Sequence, residues 1–133
     1  MSKFVGTWSL VKSENYEKLL ERLGTARTAR RMSAATNQDI TIDMLGTDRM
    51  SITSESSLGR LERTFTLDEE FEYEDTDGVR VLALIKLEGA CKLVETQHRA
   101  NADLLITREL KKDRMIMTVD YGEVRCVREY DRQ

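Results

Sequence analysis

From residue 40 onward the sequence is broken about every ten residues by a turn former: Gly46, Gly59, Gly78, Gly89, Asn101, Asp113 and Gly122. The segments between them are too short for a series of helices and are rich in residues that favour strands, so the spacing predicts antiparallel strands joined by tight turns. A run of short strands buries one face only by closing into a barrel or stacking as a sandwich. A chain of 133 residues has room for one such unit, and a single domain over 1–133 is expected.

Strand assignment is firmest near the C-terminus, where side chains alternate between two faces. Val124, Cys126, Arg128 and Tyr130 share one face, and Met115, Met117, Val119 and Tyr121 share another. Leu104, Ile106, Arg108 and Leu110 form a third. The intervening residues are polar enough to meet water, so period two with one buried face fits all three segments.

One early stretch departs from this rhythm. Tyr16, Leu19, Leu20 and Leu23 fall at i, i+3, i+4 and i+7, a helical stripe that Ser13 or Asn15 is expected to cap and Gly24 to end. A second short helix is predicted over about Ala26–Ala35, capped by Thr25 and carrying Ala29 and Met32 inward. The order is thus strand, helical pair at about 15–36, then strands. Between Tyr16 and Thr36 five bases face two acids, a local charge of +3 in a chain of net charge −3.

The inner faces carry the functional information, because each of two strands sets an arginine among apolar neighbours: Arg108 and Arg128. A guanidinium keeps its proton in a protein, and burying it alone costs several kcal/mol. Tyr130 lies two residues beyond Arg128 on the same face and offers a hydroxyl to the same anion. A barrel of about ten strands is wide enough to keep a cavity. Its complement is a carboxylate on a long apolar tail. At about 0.8 kcal/mol per methylene, a tail of about 14 methylenes contributes roughly 11 kcal/mol before association costs, so the tail supplies affinity and the head supplies orientation. The alternative is that an internal acid satisfies the arginines, and Glu95, alternating with Leu93 and Gln97, is the candidate.

Other chemistries lack support. Net charge −3 argues against nucleic acid as a partner. One histidine and two thiols 35 positions apart supply no metal set, and no nucleophile constellation accompanies His98, so neither a metal, a cofactor nor catalysis is expected. Phe4 and Trp8 are expected in the core. Met1 to Trp8 shows no leader pattern, and Cys91 and Cys126 are expected as reduced thiols, which places the chain in the cytoplasm.

Several patches then carry a likeness. Phe4-Val5-Gly6-Thr7-Trp8, Ser13-Glu14-Asn15-Tyr16, Ser54-Glu55-Ser56, Glu69-Glu70-Phe71 with Asp77-Gly78, and Cys126-Val127-Arg128-Glu129-Tyr130 stand as they do in the intracellular lipid-binding proteins, and the chain resembles their fatty-acid-binding branch over its whole length. The resemblance implies an all-β fold, a ten-stranded antiparallel up-and-down barrel with a helix-turn-helix lid, binding a long-chain fatty acid inside as a monomer. It implies that Arg108, Arg128 and Tyr130 hold the carboxylate, and that Tyr16, Leu20, Leu58, Asp77, Ile106 and Met117 line the tail and portal. It also implies contact of the basic lid with anionic membranes. Three positions depart from the pattern: Gln38 where many relatives have proline, predicting a looser helix exit; Arg27 in place of an apolar portal residue; and Glu95 where an uncharged polar residue is usual. The rival functions are a carrier of retinoid or another bulky hydrophobic ligand, and a protein-interaction β-domain with its arginines satisfied internally.

Overall fold

The computed structural model describes residues 2–75, 78–99 and 102–133. In chain order the elements are β1 (Gly6–Glu14), α1 (Tyr16–Arg22), α2 (Arg27–Ala35), β2 (Asp39–Met44), β3 (Arg49–Ser56), β4 (Gly59–Thr66), β5 (Phe71–Glu74), β6 (Arg80–Glu88), β7 (Lys92–His98), β8 (Asp103–Lys111), β9 (Arg114–Tyr121) and β10 (Val124–Arg132). The turn formers sit in or beside the links between strands; Asn101 lies outside the described residues.

The expected ten-stranded barrel is found. Strands consecutive in the chain pair antiparallel except β4 and β5, and β1 pairs with both β2 and β10, so the meander curls until its edges are β4 and β5. No ladder joins those edges among the described residues. Side chains fill the seam instead: Phe65 of β4 stacks on Phe71 of β5 with centroids 5.2 Å apart, and the Arg63 guanidinium lies 4.8 Å from the centre of the Tyr73 ring.

Register turns the strands into rows on the inner wall. Leu93, Arg108, Met117 and Arg128 are successive partners across β7 to β10, and Glu95, Ile106, Val119 and Cys126 form the next row. A slip of one residue would send each of these side chains outside, so the alternation specifies register firmly. Two apolar clusters bracket the polar residues. One joins Phe4, Trp8, Ile42, Met50, Ile85 and Met115 with their neighbours, and the Trp8 Nε1–H donates to the Phe4 carbonyl at 3.0 Å. The other seats Leu19 of α1 on Leu104, Ile106, Val119, Tyr121 and Cys126.

The helical pair is placed as predicted, with different caps. Asn15 precedes α1 in a left-handed conformation, φ 62°, and its side chain donates to the Arg125 carbonyl at 3.0 Å instead of capping. This bond ties the helix start to β10. Gly24, φ 87°, does end α1: its N–H reaches the Glu21 carbonyl while that of Thr25 reaches Leu20, which closes the last turn as a left-handed glycine allows. Ala26, not Thr25, precedes α2, with no side-chain cap. Ala29 and Met32 line the cavity mouth yet stay exposed, Met32 at 51%, because α2 covers an opening and not a filled core. At the exit from α2, the Gln38 carbonyl accepts from the Leu10 N–H at 3.1 Å and its side chain accepts from Tyr130.

Candidate functional site

Arg128 is 1% exposed, brought inside by the alternation of β10. Its Nε donates to the Tyr130 hydroxyl at 3.2 Å and its Nη1 to the Ser13 hydroxyl at 3.3 Å, while the guanidinium lies 3.7 Å from the centre of the Tyr16 ring. Tyr130 in turn donates to Gln38 Oε1 at 2.9 Å. Burial pushes the Tyr130 phenol upward, with Arg128 and then Arg108 opposing, so the hydroxyl stays a neutral donor at physiological pH. All three of these Arg128 partners are neutral, so its charge is solvated by dipoles and a ring face.

Arg108 meets a different environment. Its Nη1 donates to Glu95 Oε1 at 3.1 Å, and the same carboxylate takes Arg63 in a two-pronged bond, Nη1 to Oε2 at 2.7 Å and Nη2 to Oε1 at 3.0 Å. Gln97 Nε2 adds a bond to Oε2 at 2.6 Å and another to the Tyr73 hydroxyl at 2.9 Å. Arg99 holds the Gln97 carbonyl oxygen from the other side at 3.0 and 2.9 Å. Burial alone would raise the Glu95 carboxyl, but Arg63, Arg108 and Gln97 together hold it far below the usual carboxylate range. Arg63 is correspondingly raised, its own burial outweighed by Glu95. The internal acid suspected from sequence therefore takes one of the two predicted arginines.

Beneath the helices lies a cavity of about 470 Å³. Tyr16 and Leu20 of α1, Ala29, Met32 and Ser33 of α2, Gln38, the β3–β4 hairpin around Leu58, and Arg128 line it. Its volume falls in the range of small-molecule sites. The structure thus brings Tyr16, Leu20, Leu58 and Arg128 to one space, with Tyr130 behind Arg128. Ile106 and Met117 belong to the wall packing next to it, Ile106 buried and Met117 half-buried. Arg108 stands in the Arg128 row but does not line this cavity, and Asp77 lies outside the described residues. Residues overlooked from sequence are Arg63, Ser13 and Gln38 as hydrogen-bonding partners. Arg63 had a legible signal, since Leu61, Arg63 and Phe65 alternate on β4 just as the apolar neighbours of Arg108 and Arg128 do.

The barrel is thus closed at β1–β10, split at β4–β5 and roofed by two helices over a cavity that Arg128 lines. Residues 5–133 match the model of the lipocalin / cytosolic fatty-acid binding protein family. The chain belongs to that family. The 14 kDa fatty acid-binding protein of Schistosoma mansoni is 33% identical over 132 residues, covering 99% of this chain and 98% of that protein. A Schistosoma mansoni fatty acid binding protein in complex with arachidonic acid superposes with a TM-score of 0.94 at 32% identity, covering 100% of this chain and 98% of that one. The Echinococcus granulosus fatty-acid-binding protein 1 gives a TM-score of 0.92 at 31% identity, covering 97% and 96%. Among the described residues no cluster of histidine, cysteine and acidic side chains would hold a metal, and no helix is long and apolar enough to cross a membrane.

Proposed function

We propose that this family member binds long-chain fatty acids reversibly in its cavity and carries them through the cytoplasm as a monomer, making and breaking no bond. The observation that carries the proposal is Arg128: a permanent cation, buried, facing the cavity, and held by neutral groups alone among its named partners. A carboxylate entering the cavity replaces dipoles with a charge. Tyr130 then turns its proton from Gln38 to the ligand, adding a second donor, and Arg108 on the same row contributes its field. Tyr16 and Leu20 flank the head, and the tail leaves along the apolar wall toward Leu58 and Met32, whose exposure at 46% and 51% provides a greasy entrance. The relatives named as fatty acid-binding proteins support the same ligand class.

Solvent extraction of the purified protein followed by mass spectrometry is expected to release fatty acids, and delipidated protein is expected to take up oleate in preference to retinoic acid. Protein that carries no lipid and fails to bind oleate would end this proposal; preference for retinoic acid would transfer it to the bulkier ligand class.

A further inference from the structure

We propose that Glu95 is the residue that sets head-group selectivity: by holding Arg108 itself it takes the place a ligand carboxylate would occupy there, and confines anion recognition to Arg128. The proposal rests on the head-group assignment above and deepens it.

Arg108 and Arg128 are equivalent in position, two strands apart on one inner row with Met117 between them, so about 10 Å separates their backbones. What distinguishes them is their partners. Each Glu95 oxygen accepts two hydrogen bonds, Oε1 from Arg63 and Arg108 and Oε2 from Arg63 and Gln97. A carboxylate so saturated, at 0% exposure, has the surroundings of a bound anion and not of a group awaiting one. A second carboxylate could reach Arg108 only against this fixed like charge in a poorly screened interior. Arg108 is nonetheless not fully used, since its Nε is buried without a hydrogen-bond partner among the described atoms. One acid also serves two guanidiniums, so the cluster keeps a positive charge. Both features mark Arg108 as a latent anion site that Glu95 occupies from within. The consequence is a cavity matched to a single, singly charged head group beneath the helices.

The test is the ratio of dissociation constants for oleyl alcohol and oleate, measured by calorimetry on delipidated full-length protein. In the unmodified protein the preference for oleate comes from Arg128, so Arg128→Met brings the ratio close to one. Glu95→Gln releases Arg108 and is expected to raise the ratio roughly tenfold, the size of one charge-assisted hydrogen bond. Adding Arg108→Met to Glu95→Gln returns it to the original value. Should Glu95→Gln not fold, Arg63→Met/Glu95→Gln, which removes the most exposed loser of that change, is measured in its place with the same Arg108→Met control. An unchanged ratio in the folded variant, or a rise that survives Arg108→Met, overturns the role of Glu95. An unchanged ratio in Arg128→Met instead overturns the underlying head-group assignment, so the two failures are distinguishable.

Discussion

Arg63 and Glu95 are joined by two bonds of 2.7 and 3.0 Å although their strands, β4 and β7, are not neighbours in the sheet. The pair reaches past the open seam between β4 and β5, with the Tyr73 ring of β5 against the guanidinium and the Tyr73 hydroxyl bound by Gln97 of β7. Where backbone bonds are missing, a buried ionic network spans the gap.

The two partners are not energetically equivalent. Losing Arg63 leaves Glu95 with Arg108 and Gln97, whereas losing Glu95 leaves two guanidiniums buried together. Breaking a buried pair by removing one partner costs about 3–5 kcal/mol. Arg63→Met is expected near the lower end of that range and Glu95→Gln above it, measured by urea unfolding of delipidated protein. The reverse order would show that Arg108 is solvated without Glu95.

Acid stability follows from the same carboxylate. In the unfolded chain Glu95 takes up a proton near the ordinary glutamate value of 4.5, whereas in the barrel Arg63, Arg108 and Gln97 keep it ionised to much lower pH. The unfolded state therefore binds more protons below about pH 4.5, and stability falls as pH drops through that region toward the native value. Its contribution is fully present above pH 4.5. For this one group the slope is at most about 1.4 kcal/mol per pH unit. Unfolding free energies between pH 5 and 3 are expected to fall less steeply in Glu95→Gln than in the unmodified protein; equal slopes would mean that Glu95 titrates normally in the folded state.

Much of this arrangement was legible in the chain because period two is unforgiving. The alternation on β8, β9 and β10 placed Arg108 and Arg128 inside, and both are buried, at 4% and 1% exposure. Glu95 was legible as an internal acid for the same reason. What local pattern does not encode is which internal groups meet, since that depends on curvature bringing β4 and β7 face to face. Arg63 therefore escaped notice as the main partner of Glu95, and Gln38, outside any strand, escaped as the acceptor for Tyr130. Caps failed for a related reason: Asn15 is a good capping residue by type, but β10 offered its side chain the Arg125 carbonyl.

The two cysteines are predicted to differ sharply. Cys126 is fully buried, and burial pushes its thiol up to about 11 against a smaller opposing effect of Arg128, while Cys91 is half-buried at the β6–β7 turn. Because the thiolate is the reactive form, a disulfide reagent at pH 8 is expected to modify one thiol quickly and the second only on unfolding, with Cys91→Ser abolishing the fast phase. Two fast thiols would mean that the wall beneath α1 opens readily.

The helix α2 presents Arg27 and Arg31 outward, and no acid lies within it. Each basic side chain near an anionic bilayer contributes about 1 kcal/mol of attraction, and that attraction is screened within a Debye length. We propose that this face meets membranes during ligand delivery. Arg27→Glu/Arg31→Glu is expected to slow transfer of a fluorescent fatty acid to phosphatidylserine vesicles by more than tenfold, with equilibrium affinity unchanged because neither side chain lines the cavity. Raising salt should slow the unmodified protein and, by screening the repulsion of the two introduced glutamates, speed the variant, so that the two converge. If transfer rates are equal at low salt, the basic face is merely solvated, and delivery proceeds by release of the ligand into water.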